Sequence, residues 1–277
     1  MITHNGKQVT LAMRNRKAIN LIARNGKAMF GEFSADIGYG YGIDAAAKAV
    51  ILAEYGKQVW SDVRDYAKAH PAIVPFINQD PHLACSISTN SNKERWLVGD
   101  GKAYILTEFY ATQNTTAKAK AKLLGESVGA YQAIFGARQA VGNRSFDICL
   151  LYPDKIFFDF SNTSVDNVAL GALGTEAVVE LSKDGGWLNG TKVFDSSKTA
   201  FTTPSKVLLF SRTDGTTVNT RPLNGAIAYA EFGGDIQAHF LPCLYNGIAG
   251  MVDAISGTFH PNANTQGQFT IAITDKE

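Results

Sequence analysis

The chain has 277 residues, 45% of them hydrophobic, enough to bury a full core as one large or two smaller domains, so disorder is not the default. Lys and Arg number 26 against 25 Asp and Glu, without the basic excess that phosphate-backbone binding leaves, and nucleic acid is not expected as a partner. No apolar run of membrane-spanning length occurs, and MITHNGKQVTLAMRNRK lacks the apolar stretch of a signal peptide, so the expectation is synthesis in a reducing cytoplasm without membrane insertion.

The first forty residues carry a ten-residue echo: HNGKQVTLAM from His4, RNRKAINLIA from Arg14 and RNGKAMFGEF from Arg24. Asn5, Asn15 and Asn25 fall in register, and Asn-Gly favours the left-handed geometry of tight hairpin turns. Residues 1–42 are therefore expected to form a small β repeat of three units, too small to bury much apolar surface alone and suited to an attachment segment. SADIGYGYGID follows, with Gly38, Gly40 and Gly42 marking a connector.

Residues 43–92 read as helical. Asp44 is an N-cap candidate before AAAKAVILAEYGKQVWSDVRDYAKAH, where Ile51, Tyr55, Val59, Val63 and Tyr66 or Ala67 recur at helical spacing and predict a packing face. Lys68 and His70 suit the C-terminal end and Pro71 stops the run, so one long helix is expected, in a segment resembling a stalk or adaptor between two β regions.

From about Lys93 the pattern changes to strands. AYILTEFYAT, TAKAKAKLLG, AYQAIFGARQ, SFDICLLYP, KIFFDFS, EAVVELSKDG, KVLLFSRTDG, LNGAIAYAEF and FTIAIT are short, mostly alternating, and bounded by turn residues, which argues for a β-sandwich. Alternation in KIFFDFS sets Ile156, Phe158 and Phe160 on one face and Phe157 and Asp159 on the other. WLNGTKVF reads as a hairpin on Asn189-Gly190, and Lys118, Lys120 and Lys122 as a solvated strand face. Cys85, Cys149 and Cys243 are widely spaced and odd in number, which predicts buried free thiols rather than a disulfide framework or metal pair.

The order of landmarks YILTEFYATQNTTAKAKAKL, YQAIFGAR, WLNGTKVF, KVLLFSRTDG, LNGAIAYAEF and HFLPCLYNGIAGMVDAISGTFHPNANTQGQFTIA carries a resemblance. Its most specific part is the set Phe240, Pro242, Cys243, Gly247, Gly250, Asp253, Phe259, Asn262 and Ala263. Residues from about 95 to 275 resemble the concanavalin A-like lectin/glucanase (laminin-G-type) jelly-roll modules of bacteriophage virion proteins and gut-bacterial surface proteins. The resemblance implies that residues 93–277 form a mainly β, two-sheet antiparallel jelly-roll sandwich with a face often used for glycans.

It implies less about activity, because one fold hosts lectins, hydrolases and spacers. Glucanases of this architecture carry a Glu-x-Asp-x-x-Glu run, since retaining chemistry needs two carboxyl groups about 5 Å apart. No such run occurs, and Glu176 with Glu180, or Glu231 with Asp235, have the wrong spacing on one strand, so no enzyme is expected. Asp184 and Asp214 read as turn residues, and no metal or cofactor is expected. Sugar binding needs an aromatic plate with polar neighbours, for which Phe157, Asp159 and Trp187 are the candidates. In the stretch around residues 240–263, Asp253 is expected to brace a turn rather than polarise His260.

Two functions follow from this reading. The first is a bacteriophage virion fibre or appendage protein, a homo-oligomer joined to other virion proteins through its N-terminal region and presenting a lectin-like domain to host-surface glycan. The second is a bacterial carbohydrate-binding or adhesion protein, and a glycoside hydrolase is the least favoured.

Overall fold

The computed structural model describes residues 42–276 except 128, 140–143 and 197–198, together with the backbone of short strands among the first 28 residues. These short strands form three separate ladders, β1 (Ile2–His4) with β2 (Lys7–Val9), β3 (Ala12–Arg14) with β4 (Lys17–Ile19), and β5 (Ala23–Arg24) with β6 (Lys27–Ala28). Each ladder flanks one of the repeated Asn positions, as the ten-residue echo requires, although the turns themselves and residues 29–41 lie outside the described residues.

The helical segment departs from the single long helix expected. It forms α1 (Ala45–Tyr55) and α2 (Lys57–Ala69), then α3 (Val74–Gln79) and α4 (Ala84–Ile87), each preceded by one 3₁₀ turn. Asp44 caps α1 as expected, its carboxylate accepting from Ala47 N at 2.8 Å. The break falls at Gly56, whose φ of 90° and ψ of 175° take the backbone out of the helical region and turn α2 away from α1.

Bending lets both helices use their apolar stripe on one target. Ile51, Val59, Val63 and Ala67 pack with Ile73, Ile77 and Leu83 against Leu241, Cys243, Val252 and Ala254, which project from the sandwich. The segment is thus a layer laid on a sheet rather than a stalk. A buried ion pair fastens it: Asp80 Oδ2 lies 2.7 Å from Arg95 Nη2 and also accepts from Leu244 N at 2.7 Å.

The sandwich strands begin with β7 (Lys93–Asp100), β8 (Ile105–Leu106), β9 (Thr116–Leu123), β10 (Tyr131–Arg138), β11 (Ser145–Leu151), β12 (Lys155–Ser161), β13 (Thr163–Ala169) and β14 (Glu176–Ser182). They continue with β15 (Gly185–Leu188), β16 (Thr191–Phe194), β17 (Leu208–Leu209), β18 (Thr213–Asp214), β19 (Asn224–Gly233), β20 (Ala238–Tyr245), β21 (Ile248–Asp253), β22 (Thr258–Pro261) and β23 (Phe269–Asp275). One sheet has ten strands, ordered β16-β15-β14-β9-β19-β20-β21-β22, with β7 pairing both β19 and β23. The other has seven, ordered β13-β12-β11-β10-β17-β8, with β18 beside β10. Both are antiparallel apart from the short β10–β18 contact.

The chain passes repeatedly from one sheet to the other, an arrangement compatible with a jelly roll, and the two inner faces form one core. Ala119, Ala121, Val179 and Leu181 enter from the ten-stranded sheet, and Phe146, Ile148, Phe158 and Phe160 from the seven-stranded sheet. Small residues on one side facing large aromatics on the other keep the layers interdigitated. The predicted hairpin is present, with Asn189 and Gly190 at φ 50° and 77° between β15 and β16.

One strand expectation is modified, and one strand lies where none was expected. Of AYILTEFYAT only Ile105–Leu106 is regular strand; beyond it the segment bonds irregularly to residues 203–207, with Val207 N donating to Phe109 O at 3.0 Å. Strand β13, TSVDNVA, has no apolar alternation in sequence because it is an exposed edge with one neighbour.

Candidate functional site

Alternation along β9 sends Ala117, Ala119 and Ala121 inward and Lys118, Lys120 and Lys122 to the outer face of the ten-stranded sheet. These lysines are more than a solvated face. Lys120 lies 2.7 Å from Glu94 and 2.6 Å from Glu176, while Lys122 Nζ sits 4.0 Å from the ring centroid of Trp96, which is wholly buried beneath it. Burial alone would lower the Lys120 pKa, but hydrogen bonds to Glu176 and Glu94 hold it above the ordinary value.

Beside this ladder, antiparallel register places one residue from each of six strands in a transverse row. Lys192 on β16 faces Trp187 on β15, Trp187 faces Glu180 on β14, and Glu180 faces Lys118 on β9. Lys118 in turn faces Glu231 on β19, and Glu231 faces His239 on β20. Directly opposed side chains have Cβ atoms about 5 Å apart, so the six side chains stand in one line across the sheet. Trp187, Glu180, Lys118 and Glu231 line a groove of about 340 Å³ on this face.

Each polar member of the row is held. Lys118 Nζ lies 3.0 Å from Glu180 Oε1, and Lys192 Nζ stands 5.7 Å from the Trp187 ring centroid. His239 Nε2 lies 3.4 Å from Glu231 Oε1, and Tyr66 Oη of α2 meets His239 Nδ1 at 2.8 Å. With Tyr66 donating to Nδ1, the neutral imidazole carries its proton on Nε2, the nitrogen on the Glu231 side. His70 stacks on Tyr66, ring centroids 4.3 Å apart. Burial pushes the His239 pKa below its ordinary value against the opposing pull of Glu231.

The outer face of the seven-stranded sheet is built differently. Asp147 on β11 directly opposes Asp159 on β12, and both carboxylates are buried. Arg212 Nη1 binds Asp147 Oδ2 at 2.6 Å, and both side chains are nearly inaccessible. Arg138 remains 4.0 Å from Asp159. Gly136 makes room for the pair, since a Cβ there would collide with the Cβ atoms of Asp147 and Arg212. Burial, then repulsion from Asp147, raises the Asp159 pKa to about 7, with Arg138 opposing.

The three sugar-binding candidates therefore divide between the faces. Phe157 and Asp159 lie outward on the seven-stranded sheet, where Phe157 packs edge-on against Tyr131 at 5.5 Å and Asp159 is enclosed. Trp187 lies on the opposite outer face, in the groove. Sequence spacing along single strands passed over Lys118, Glu180, Glu231 and His239 as a set, because what joins them is the pairing of β14, β9, β19 and β20.

The other reactive-looking residues have structural positions. Asp253 accepts from the backbone N–H groups of His239, Ile255 and Ser256, bracing the turn between β21 and β22 as expected. His260 packs against Phe240 with its Nδ1 3.1 Å from Leu106 O. All three cysteines are free and buried. Burial, then Asp80, pushes the Cys243 thiol up to about 12, and burial also raises Cys149, so neither is a ready nucleophile. Among the described residues, no cluster of His, Cys, Asp and Glu has a metal-holding arrangement, and no helix is long and apolar enough to cross a membrane. Comparison with protein-family models and with curated proteins found no match.

Proposed function

We propose that the chain is an attachment protein whose sandwich holds glycan in the Trp187 groove. The observation that carries the reading is the groove itself: an indole followed along one line by a carboxylate, an ammonium and a second carboxylate. Sugars present an apolar ring face to stack on the aromatic and hydroxyls to bond to the polar groups. The row is firm because its members stand on paired strands rather than loops.

Binding without hydrolysis is the mode this geometry favours. Glu180 and Glu231 lie two strands apart, about 10 Å between backbones, with Lys118 placed between them and engaged to Glu180. That leaves the interval between the carboxylates filled by a cation instead of open for an attacking water. The wider setting we propose is a bacteriophage virion fibre or appendage, with the three N-terminal strand ladders as its attachment segment and host-surface glycan as its target. The short ladders support an attachment role because each has little surface of its own to bury.

A glycan array probed with the wild-type chain and with Trp187→Ala tests the groove. The expected result is a defined set of bound glycans lost in the variant while its thermal melt is unchanged; retention of the same set removes the groove from the reading. Mass spectrometry of purified particles tests the virion setting separately, and recovery only as a free monomer would remove it.

A further inference from the structure

The groove's charges are not equally committed, and the inequality indicates which sugars fit it. Lys118 is held by Glu180 at 3.0 Å, so these two charges offset each other. Glu231 has no such cation. Among the described residues its ion-pair partner is His239, whose half-buried ring lies near Glu231, Tyr66, His70 and Asp253. The imidazole, its pKa held below the ordinary value by burial, stands 3.4 Å from Glu231 without cancelling its charge. Glu231 thus presents an uncompensated anionic oxygen within the groove, while its other neighbour in the row, Lys118, turns to the opposite strand.

Resting on the glycan reading above, we propose that the groove selects sugars carrying a free amine, with Trp187 stacking on the ring and Glu231 receiving the ammonium group. An ammonium supplies the missing counter-charge and three donors, whereas an N-acetyl group at the same place supplies one neutral N–H. A uronic or sialic acid would set its carboxylate against Glu180 and Glu231. Tyr66 holds His239 beside Glu231, Oη meeting Nδ1 at 2.8 Å.

The test is calorimetric titration with two probes that differ only in acetylation: a β-1,4-linked glucosamine tetramer and the corresponding N-acetylglucosamine tetramer. The expected result at low ionic strength is affinity for the amine form higher by about tenfold or more, as a charge-assisted hydrogen bond provides. Added salt should shrink that ratio, and Glu231→Gln should bring it close to one. Equal affinity for the two tetramers, or a ratio that survives in Glu231→Gln, overturns the amine assignment. If binding is equal but abolished by Trp187→Ala, the groove reading stands without it. If neither tetramer binds, the amine assignment fails and the groove rests on the array alone.

Discussion

The two outer faces of the sandwich both carry charge, but they handle it in opposite ways. On the ten-stranded sheet, lysines and glutamates alternate across strands, Lys118, Lys120 and Lys122 each near a glutamate and in reach of water. On the seven-stranded sheet, two aspartates face each other out of water with one arginine in contact. Exposed pairs cost little to form and little to lose, whereas enclosed charges depend on a partner and on pH. The difference follows from what lies above each strand: open groove in the first case, the Arg212 segment closing over Gly136 in the second.

The largest effect expected from breaking that contrast is at Arg212. Arg212→Ala leaves Asp147 buried without its cation and should cost about 3–5 kcal/mol in denaturant unfolding. Next is Asp159, whose pKa stands near 7 in the folded chain against 3.8 ordinarily. Between those values the folded state keeps a proton that the unfolded state releases, so stability is greatest below about pH 4 on this account and falls as pH rises through about 7. Asp159→Asn should flatten that slope, measured by melts at pH 5 and pH 8, and raise the melting temperature at pH 8; an unchanged slope would show that Asp159 is not its source.

Gly136→Ala should destabilise by about 1–3 kcal/mol, because the new methyl displaces Asp147 or Arg212. On the other face, Lys118→Ala should change stability by no more than about 1 kcal/mol despite removing a 3.0 Å ion pair. If Lys118→Ala proved as costly as Arg212→Ala, the two faces would not differ in the way described.

Local chemistry made several features readable in the sequence: the Asp44 cap, the Asn189-Gly190 turn, the inward and outward sides of KIFFDFS, and the bracing role of Asp253. Each depends on residues a few positions apart. The opposition of Asp147 and Asp159, and the row from Lys192 to His239, depend on strand register between distant segments, for which no neighbouring residue is a signal. Gly56 was visible, but a helical stripe continues in phase across it, and the break shows only where the backbone leaves the helical region. Edge strand β13 is hidden for the converse reason, since none of its residues is fully buried.

The helical layer also gives the groove a direction. It covers the sheet over β20 and β21 and meets the row at Tyr66 and His239, while the row's other end reaches β16, the last strand of the sheet. A chain-like ligand lying along the row would therefore abut the helices at its Glu231 end and run free past Trp187. On the glycan reading proposed above, a ligand stopped there would be held by its terminal unit, so trimming a single end unit should weaken binding more than shortening the chain.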